Sequence, residues 1–202
     1  MNFSSLSESL IALRNTLLQQ ELIEVTELLI ARIHNNEKLL PEGNEVIKIH
    51  ARYTREQILA GFSASTFEKM SPSREGVLHL VEQNTELLFV TLNKNEKQFS
   101  PTTMYHDFAL SEALFHWQSQ NSARPDKGKG LTYVTHQAND LKIILFVREQ
   151  AKDENGRTMG FVNFGYVKYL SHQGAQPMNI TWELETPMPA AMWHEAAKLA
   201  MA

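Results

Sequence analysis

Thr158-Met-Gly-Phe-Val-Asn-Phe-Gly-Tyr-Val-Lys-Tyr-Leu170 is the stretch that decides the fold. Its Phe, Tyr and Val content is that of a strand, and Gly160 and Gly165 interrupt it where a bulge or a barrel bend can sit. Working outward, Met178-Asn-Ile-Thr-Trp-Glu-Leu184 alternates cleanly with period two. Upstream, Leu141 to Glu149 reads as a strand joined to another at Leu131–His136 through a turn at Ala138-Asn-Asp140. Gly76 to Glu82 and Glu86 to Asn93 flank Gln83-Asn-Thr85 as a hairpin, and Val46–His50 alternates like a short strand. Six or seven strands on tight turns, with helices at the margins, predict an α+β domain. It would be built on a strongly bent mixed sheet or a small β-barrel.

Helical signals are confined to the ends and one short insert. Ser5 with Glu8 forms a capping box, after which Leu6, Leu10, Leu13, Leu17, Leu22, Val25, Leu29 and Ile33 recur at three- and four-residue spacing. One long helix or two shorter ones fit; it either packs on its own domain or docks on a partner. A polar linker at Asn35–Asn44, with Pro41 and Gly43, separates a helical segment (1–40) from the β-rich domain (45–202). Thr54 with Gln57 opens a short helix ending at Gly61, and Pro189 suits the first turn of a C-terminal helix.

Composition narrows the function classes. Among 202 residues there is no cysteine, which removes thiol catalysis, thiolate metal sites and disulfides, and suits a reducing cytoplasm. No apolar run reaches the roughly 18–20 residues of a membrane span, and the N-terminus lacks the features of a secretory signal. A net charge of −4 argues against a generally basic nucleic-acid binder but leaves room for a local basic surface.

Known catalytic signatures fail in turn. Lys127-Gly-Lys-Gly130 is not a Walker loop, His194-Glu195 lacks the second histidine of a zinc-protease helix, and there is no Gly-x-Ser-x-Gly elbow. No metal site and no cofactor are expected. The connection from Lys94 to Gly130, with at most one short helix near Phe108–Leu114, is too long to be a plain loop. It carries Tyr105, Asp107, His116, Trp117, Gln118 and Gln120, a mixture of rings, amides and a carboxylate suited to sandwiching a planar base and reading its edge. Arg124, Lys127 and Lys129 form a small basic tip with Gly128 and Gly130. Arg148, at a strand end beside Glu149, is a further candidate for phosphate.

Six blocks in one order resemble a single family: Ala51–Leu59, Leu87–Lys94, Phe99–Tyr105, Leu114–Gln120, Leu145–Glu149 and Ser171–Met178. The family is domain of unknown function 3427. It usually lies at the C-terminus of fusions of a phospholipase-D-type nuclease with a superfamily-two helicase, some of them type IV restriction enzymes that cut DNA containing modified cytosine. The resemblance implies a fold of the SET-and-RING-associated, PUA-like kind and a role as the target-recognition part. Double-stranded DNA bearing a modified base would be the ligand. The chain departs from the fusions in having no helicase motif and no His-x-Lys nuclease motif, so neither cleavage nor ATP hydrolysis carries over. The expectation is a non-enzymatic, cytoplasmic DNA reader in restriction or phage defence, either an excised domain or a stand-alone version, with its N-terminal helix free to dock on a helicase or nuclease. The rivals are a hydrolase using His116 with Asp107 or Glu112, and a protein-interaction subunit.

Overall fold

The computed structural model describes residues 19–27, 47–66, 68–69, 71, 74–93, 107–190 and 192–193. Tyr105 and most of the 1–40 segment lie outside this set; within that segment, residues 19–27 are helical and expose Leu22, Ile23 and Val25. The chain forms two compact units, Met1–Ile49 with Arg55–Pro72, and His50–Thr54 with Ser73–Ala202. In the first, helix α1 (Arg55–Gly61) buries Ile58 and Leu59 with Ile47 and Phe62.

The second unit is a mixed, open sheet of eight strands. The strands are β1 (Arg52–Tyr53), β2 (Val77–Leu80), β3 (Thr85–Asn93), β4 (Phe108–Ala109), β5 (Leu114–Gln118), β6 (Lys142–Gln150), β7 (Phe161–Gln173) and β8 (Asn179–Leu184). They run in the order β2-β3-β6-β7-β8-β5-β4, with β1 beside β7. The terminal strands β2 and β4 do not pair with each other, so the barrel alternative gives way to the open mixed sheet. All pairs are antiparallel except β3 with β6, which align from Thr85↔Lys142 to Asn93↔Gln150. Thr85 through Val90 and Ile143 through Val147 are buried without a break, the pattern of strands covered on both faces.

The deciding stretch is one strand that serves two neighbours. Through Val162–Tyr166 it pairs with β6, and from Val167 to Gln173 with β8. Just before the handover, which falls between Tyr166 and Val167, stands Gly165, whose φ of 81° is cheap for glycine and costs any other residue roughly 1 kcal/mol or more. Asn163 Oδ1 accepts the Gly165 N–H (2.9 Å), and the ladder skips Phe164 as a β-bulge. A second bulge expels Leu170 between Tyr169 and Ser171.

Three expectations are corrected, the first at Val46–His50, whose described residues hold one bridge at Lys48 and a turn at Ile49–His50 in place of a strand. Leu131–His136 is not a strand: Gly128–Thr135 is helix α2. Parallel strands need a long crossover, and α2 lies within the one from β3 to β6. Gly130 lets the helix sit against Arg124, where a Cβ would stand 2.1 Å from the Arg124 carbonyl oxygen. The Thr132 and Thr135 hydroxyls donate back to Gly128 and Leu131. Likewise Phe108–Leu114 is not helical but spans β4, a bend and the start of β5.

The main core lies on one face of the sheet. Leu88, Val90, Leu145, Val147, Val162 and Phe164 continue into Phe115, Trp117, Ile180 and Trp182, with Tyr133 of α2 laid over them. Trp182 meets Trp117, Tyr133, His136 and Tyr169, three of them edge-on. On the opposite face Phe89 stacks on Phe146 and meets Phe161 edge-on.

Candidate nucleic-acid interface

Period two divides the expected site residues between the two faces of β5. Phe115 and Trp117 point into the core, opposite Trp182 and Ile180 of β8. Trp117 is 6% exposed, with ring centroids 5.3 Å from Tyr133 and 6.1 Å from Trp182. A ring so enclosed has no face to offer a base, and Trp117 is corrected to a core residue. His116 and Gln118 point the other way and are partly exposed. His116 stacks on Phe108 of β4 at 4.7 Å and 13° between planes. Gln118 Nε2 donates to Asn179 Oδ1 (3.3 Å) across the β5–β8 pair, and Thr181 lies opposite His116. The outer face of β4-β5-β8 therefore carries a flat π pair with an amide pair one step along.

Asp107 anchors this edge. Its Oδ1 accepts the Gln118 N–H (2.8 Å), and the residue is buried. Gln120 is half-buried, and its Oε1 accepts from Tyr133 Oη–H (3.0 Å). Burial pushes the Tyr133 phenol up; the Gln120 bond lowers it slightly and the nearby Glu86 carboxylate raises it. Ser119 Oγ accepts the Met178 N–H, fixing the β7–β8 loop to the end of β5.

The basic candidates are mostly engaged. Arg124 forks onto Asp126 at 2.9 and 2.8 Å, and that hydrogen bond first, with the charge behind it, raises Arg124 and lowers Asp126. Lys127 is exposed and within electrostatic reach of Asp126. Lys129 Nζ donates to Glu86 at 2.7 Å. Arg148 is structural in its contacts: Nε donates to Thr91 Oγ1, a terminal nitrogen to the Met159 carbonyl, and the guanidinium lies 4.4 Å over Phe161. Burial lowers its pKa.

Arg52 was missed as a candidate, although it lies in the first block of family resemblance. It forks onto Glu149, with one bond of 2.8 Å, and also donates to the Gly160 carbonyl. Burial alone would raise the Glu149 carboxyl, but the Arg52 hydrogen bonds and charge, with a backbone bond, hold it below its ordinary value. The pair stands by a cavity of about 70 Å³ walled by Leu92, Val147, Val162, Phe164 and Met192, room for a few waters. Among the described residues no three His, Asp or Glu side chains gather as a metal site, and no helix is long and apolar enough to cross a membrane.

The open mixed sheet with its flanking helices defines an α+β domain. Residues 47–196 match the family described as Domain of unknown function (DUF3427), and the chain belongs to it. No curated protein matches the chain. Among solved structures, the SUVH5 SRA complex with fully methylated CG DNA is 8% identical at a TM-score of 0.45, covering 77% of this chain and 97% of that one. Arabidopsis thaliana SUVH6 in complex with SAM is 11% identical at a TM-score of 0.44; the alignment covers 81% of this chain but 31% of that one, so this chain spans about a third of its length. The DNA recognition domain of the cytosine modification-dependent restriction endonuclease LpnPI is 13% identical at a TM-score of 0.34, covering 74% of this chain and 73% of that one.

Proposed function

We propose that the chain is a non-enzymatic DNA-recognition module that reads a modified cytosine, serving restriction or phage defence in the cytoplasm. The observation that carries the reading is the outer face of β4-β5-β8, where the stacked Phe108–His116 pair adjoins the Gln118–Asn179 amides. Stacking supplies sequence-tolerant affinity for a base of roughly 1–3 kcal/mol, and paired amides supply both donors and acceptors for its polar edge. Membership of the family supports the same reading, through the target-recognition role its resemblance implies. Asp107 lies at the edge of this face, Tyr105 is kept as a candidate for the base, and Arg124, Lys127 and Lys129 are assigned to backbone phosphate. Arg148 braces the sheet. The exposed Leu22, Ile23 and Val25 of the N-terminal helix are suited to docking on a helicase or nuclease that supplies cleavage.

The test is a fluorescence-anisotropy series with one duplex carrying cytosine, 5-methylcytosine or 5-hydroxymethylcytosine. Binding at low salt with tighter affinity for a modified form is expected. Failure to bind any of the three at low salt overturns the reading.

A further inference from the structure

Glu86 is a carboxylate with no exposed surface in the middle of a sheet. Burying a charge is expensive, and apolar residues of similar size would serve the fold at least as well. Both of its oxygens are spoken for by basic groups that reach the surface. Oε2 meets His79 Nδ1 at 3.0 Å, and Oε1 accepts from Lys129 Nζ at 2.7 Å. The His79 and Lys129 side chains remain 37% and 49% exposed. The β2–β3 register sets one half of this cluster, since His79 stands directly opposite Glu86. Helix α2 brings the other, placing Lys129 four residues before Tyr133, whose phenol also feels the Glu86 charge.

The charge balance of the cluster decides what it does. With His79 neutral, Lys129 and Glu86 cancel, and the exposed ammonium presents no net charge to an approaching anion. Protonating His79 leaves the cluster at +1. Its Nδ1–H then stays on Glu86, and its outer Nε2–H becomes a donor beside the Lys129 ammonium. We propose that His79, Glu86 and Lys129 form a proton-gated contact for one backbone phosphate of DNA, with Glu86 the positioning residue that holds two cations at one spot and silences one of them until His79 charges. This rests on the DNA-binding reading above and adds to it a residue on β2, away from the β4-β5-β8 face. The groups that meet in this cluster are His79 on β2, Glu86 on β3, and Lys129 and the Tyr133 phenol on α2.

The experiment measures DNA affinity against pH and salt for the full chain and for His79→Gln, Glu86→Gln and Lys129→Gln. Affinity of the wild type should rise on acidification at constant salt. Neutralising one more phosphate is worth roughly fivefold at 0.15 M salt and adds about 0.9 to the slope of log affinity on log salt. His79→Gln should reduce that pH dependence. Glu86→Gln frees Lys129 from its counter-charge, so it should bind DNA more tightly than the wild type at pH 8, where the wild-type cluster is neutral. Lys129→Gln should weaken binding at low pH and flatten the salt slope.

A merely structural cluster would weaken binding in Glu86→Gln, not strengthen it. Should that variant fail to fold, the exposed His79→Gln decides alone: a pH profile unchanged from wild type refutes the proposal. Absence of DNA binding by the wild type would refute the recognition reading itself, a distinct outcome.

Discussion

Neighbouring residues His116 and Trp117 should fail in opposite ways. Trp117 is 6% exposed and wedged against Tyr133 and Trp182, so Trp117→Ala removes a large ring from a packed interior. Such truncations cost about 3–5 kcal/mol, and in a chain of this length each kcal/mol lowers Tm by about 2–4 °C. The Tm followed by near-ultraviolet circular dichroism should therefore fall by roughly 6–20 °C. His116 stacks on Phe108 on the partly exposed face, where losing one cross-strand pair costs about 0.2–1 kcal/mol. His116→Ala should leave Tm nearly in place. Its cost appears in binding instead: a lost base stack of about 1–3 kcal/mol weakens DNA affinity roughly five- to 150-fold. The division by faces is refuted if Trp117→Ala keeps its Tm while losing DNA binding. The interface is refuted if His116→Ala binds as wild type does.

Three more outcomes follow from the packing and the ion pairs. Gly130→Ala should destabilise the protein by about 1–3 kcal/mol in urea titration, because a Cβ 2.1 Å from the Arg124 carbonyl oxygen outweighs the better helix propensity of alanine. His136 is lowered from its ordinary value of 6.5 mainly by burial, while Nδ1–H donates to the Leu141 carbonyl and Nε2 accepts the Tyr169 N–H. The unfolded chain takes up that proton first. The His136 contribution is thus whole above about pH 6.5 and is lost as pH falls toward the depressed folded value, a limb that His136→Gln should flatten. Glu149 is held below its ordinary 4.5 by Arg52, so the pair stabilises above that pH and fades as pH falls through the lower folded value. Arg52→Gln should shorten this acid limb in a pH series of melting curves.

What could be read from the residues depended on whether one face or two carried the signal. Met178–Leu184 alternates polar and apolar and is β8, and Gln83-Asn-Thr85 marks the β2–β3 turn, where Asn84 takes φ 44°. Gly165 was legible as a break because only glycine relieves the backbone there. In Leu114–Gln118 the period was hidden, since aromatic rings occupy both faces, Phe115 and Trp117 inward and His116 outward against Phe108. The same confusion placed Trp117 among the site residues. Leu131-Thr-Tyr-Val-Thr135 is rich in strand-forming types, yet it became helix because a crossover between parallel strands and the fit of Gly130 beneath Arg124 outweigh local propensity. Glu86 gave no local sign, as its partners His79 and Lys129 meet it only once β2 and α2 are in place.

The parallel β3–β6 pair also sets the tempo at which this protein can be made. Its partners are separated by roughly fifty residues that must gather before the first ladder bond between them forms, and such non-local pairing is slow. Meanwhile Ile143-Ile-Leu-Phe-Val147, a run free of charge and of proline, stays unpaired until it docks beside β3. The interval between the emergence of β6 and its docking beside β3 is when aggregation competes best with folding. Slower growth or lower temperature during expression should raise the soluble yield, and a charge placed at Leu131, exposed on the crossover helix, would not shorten that interval.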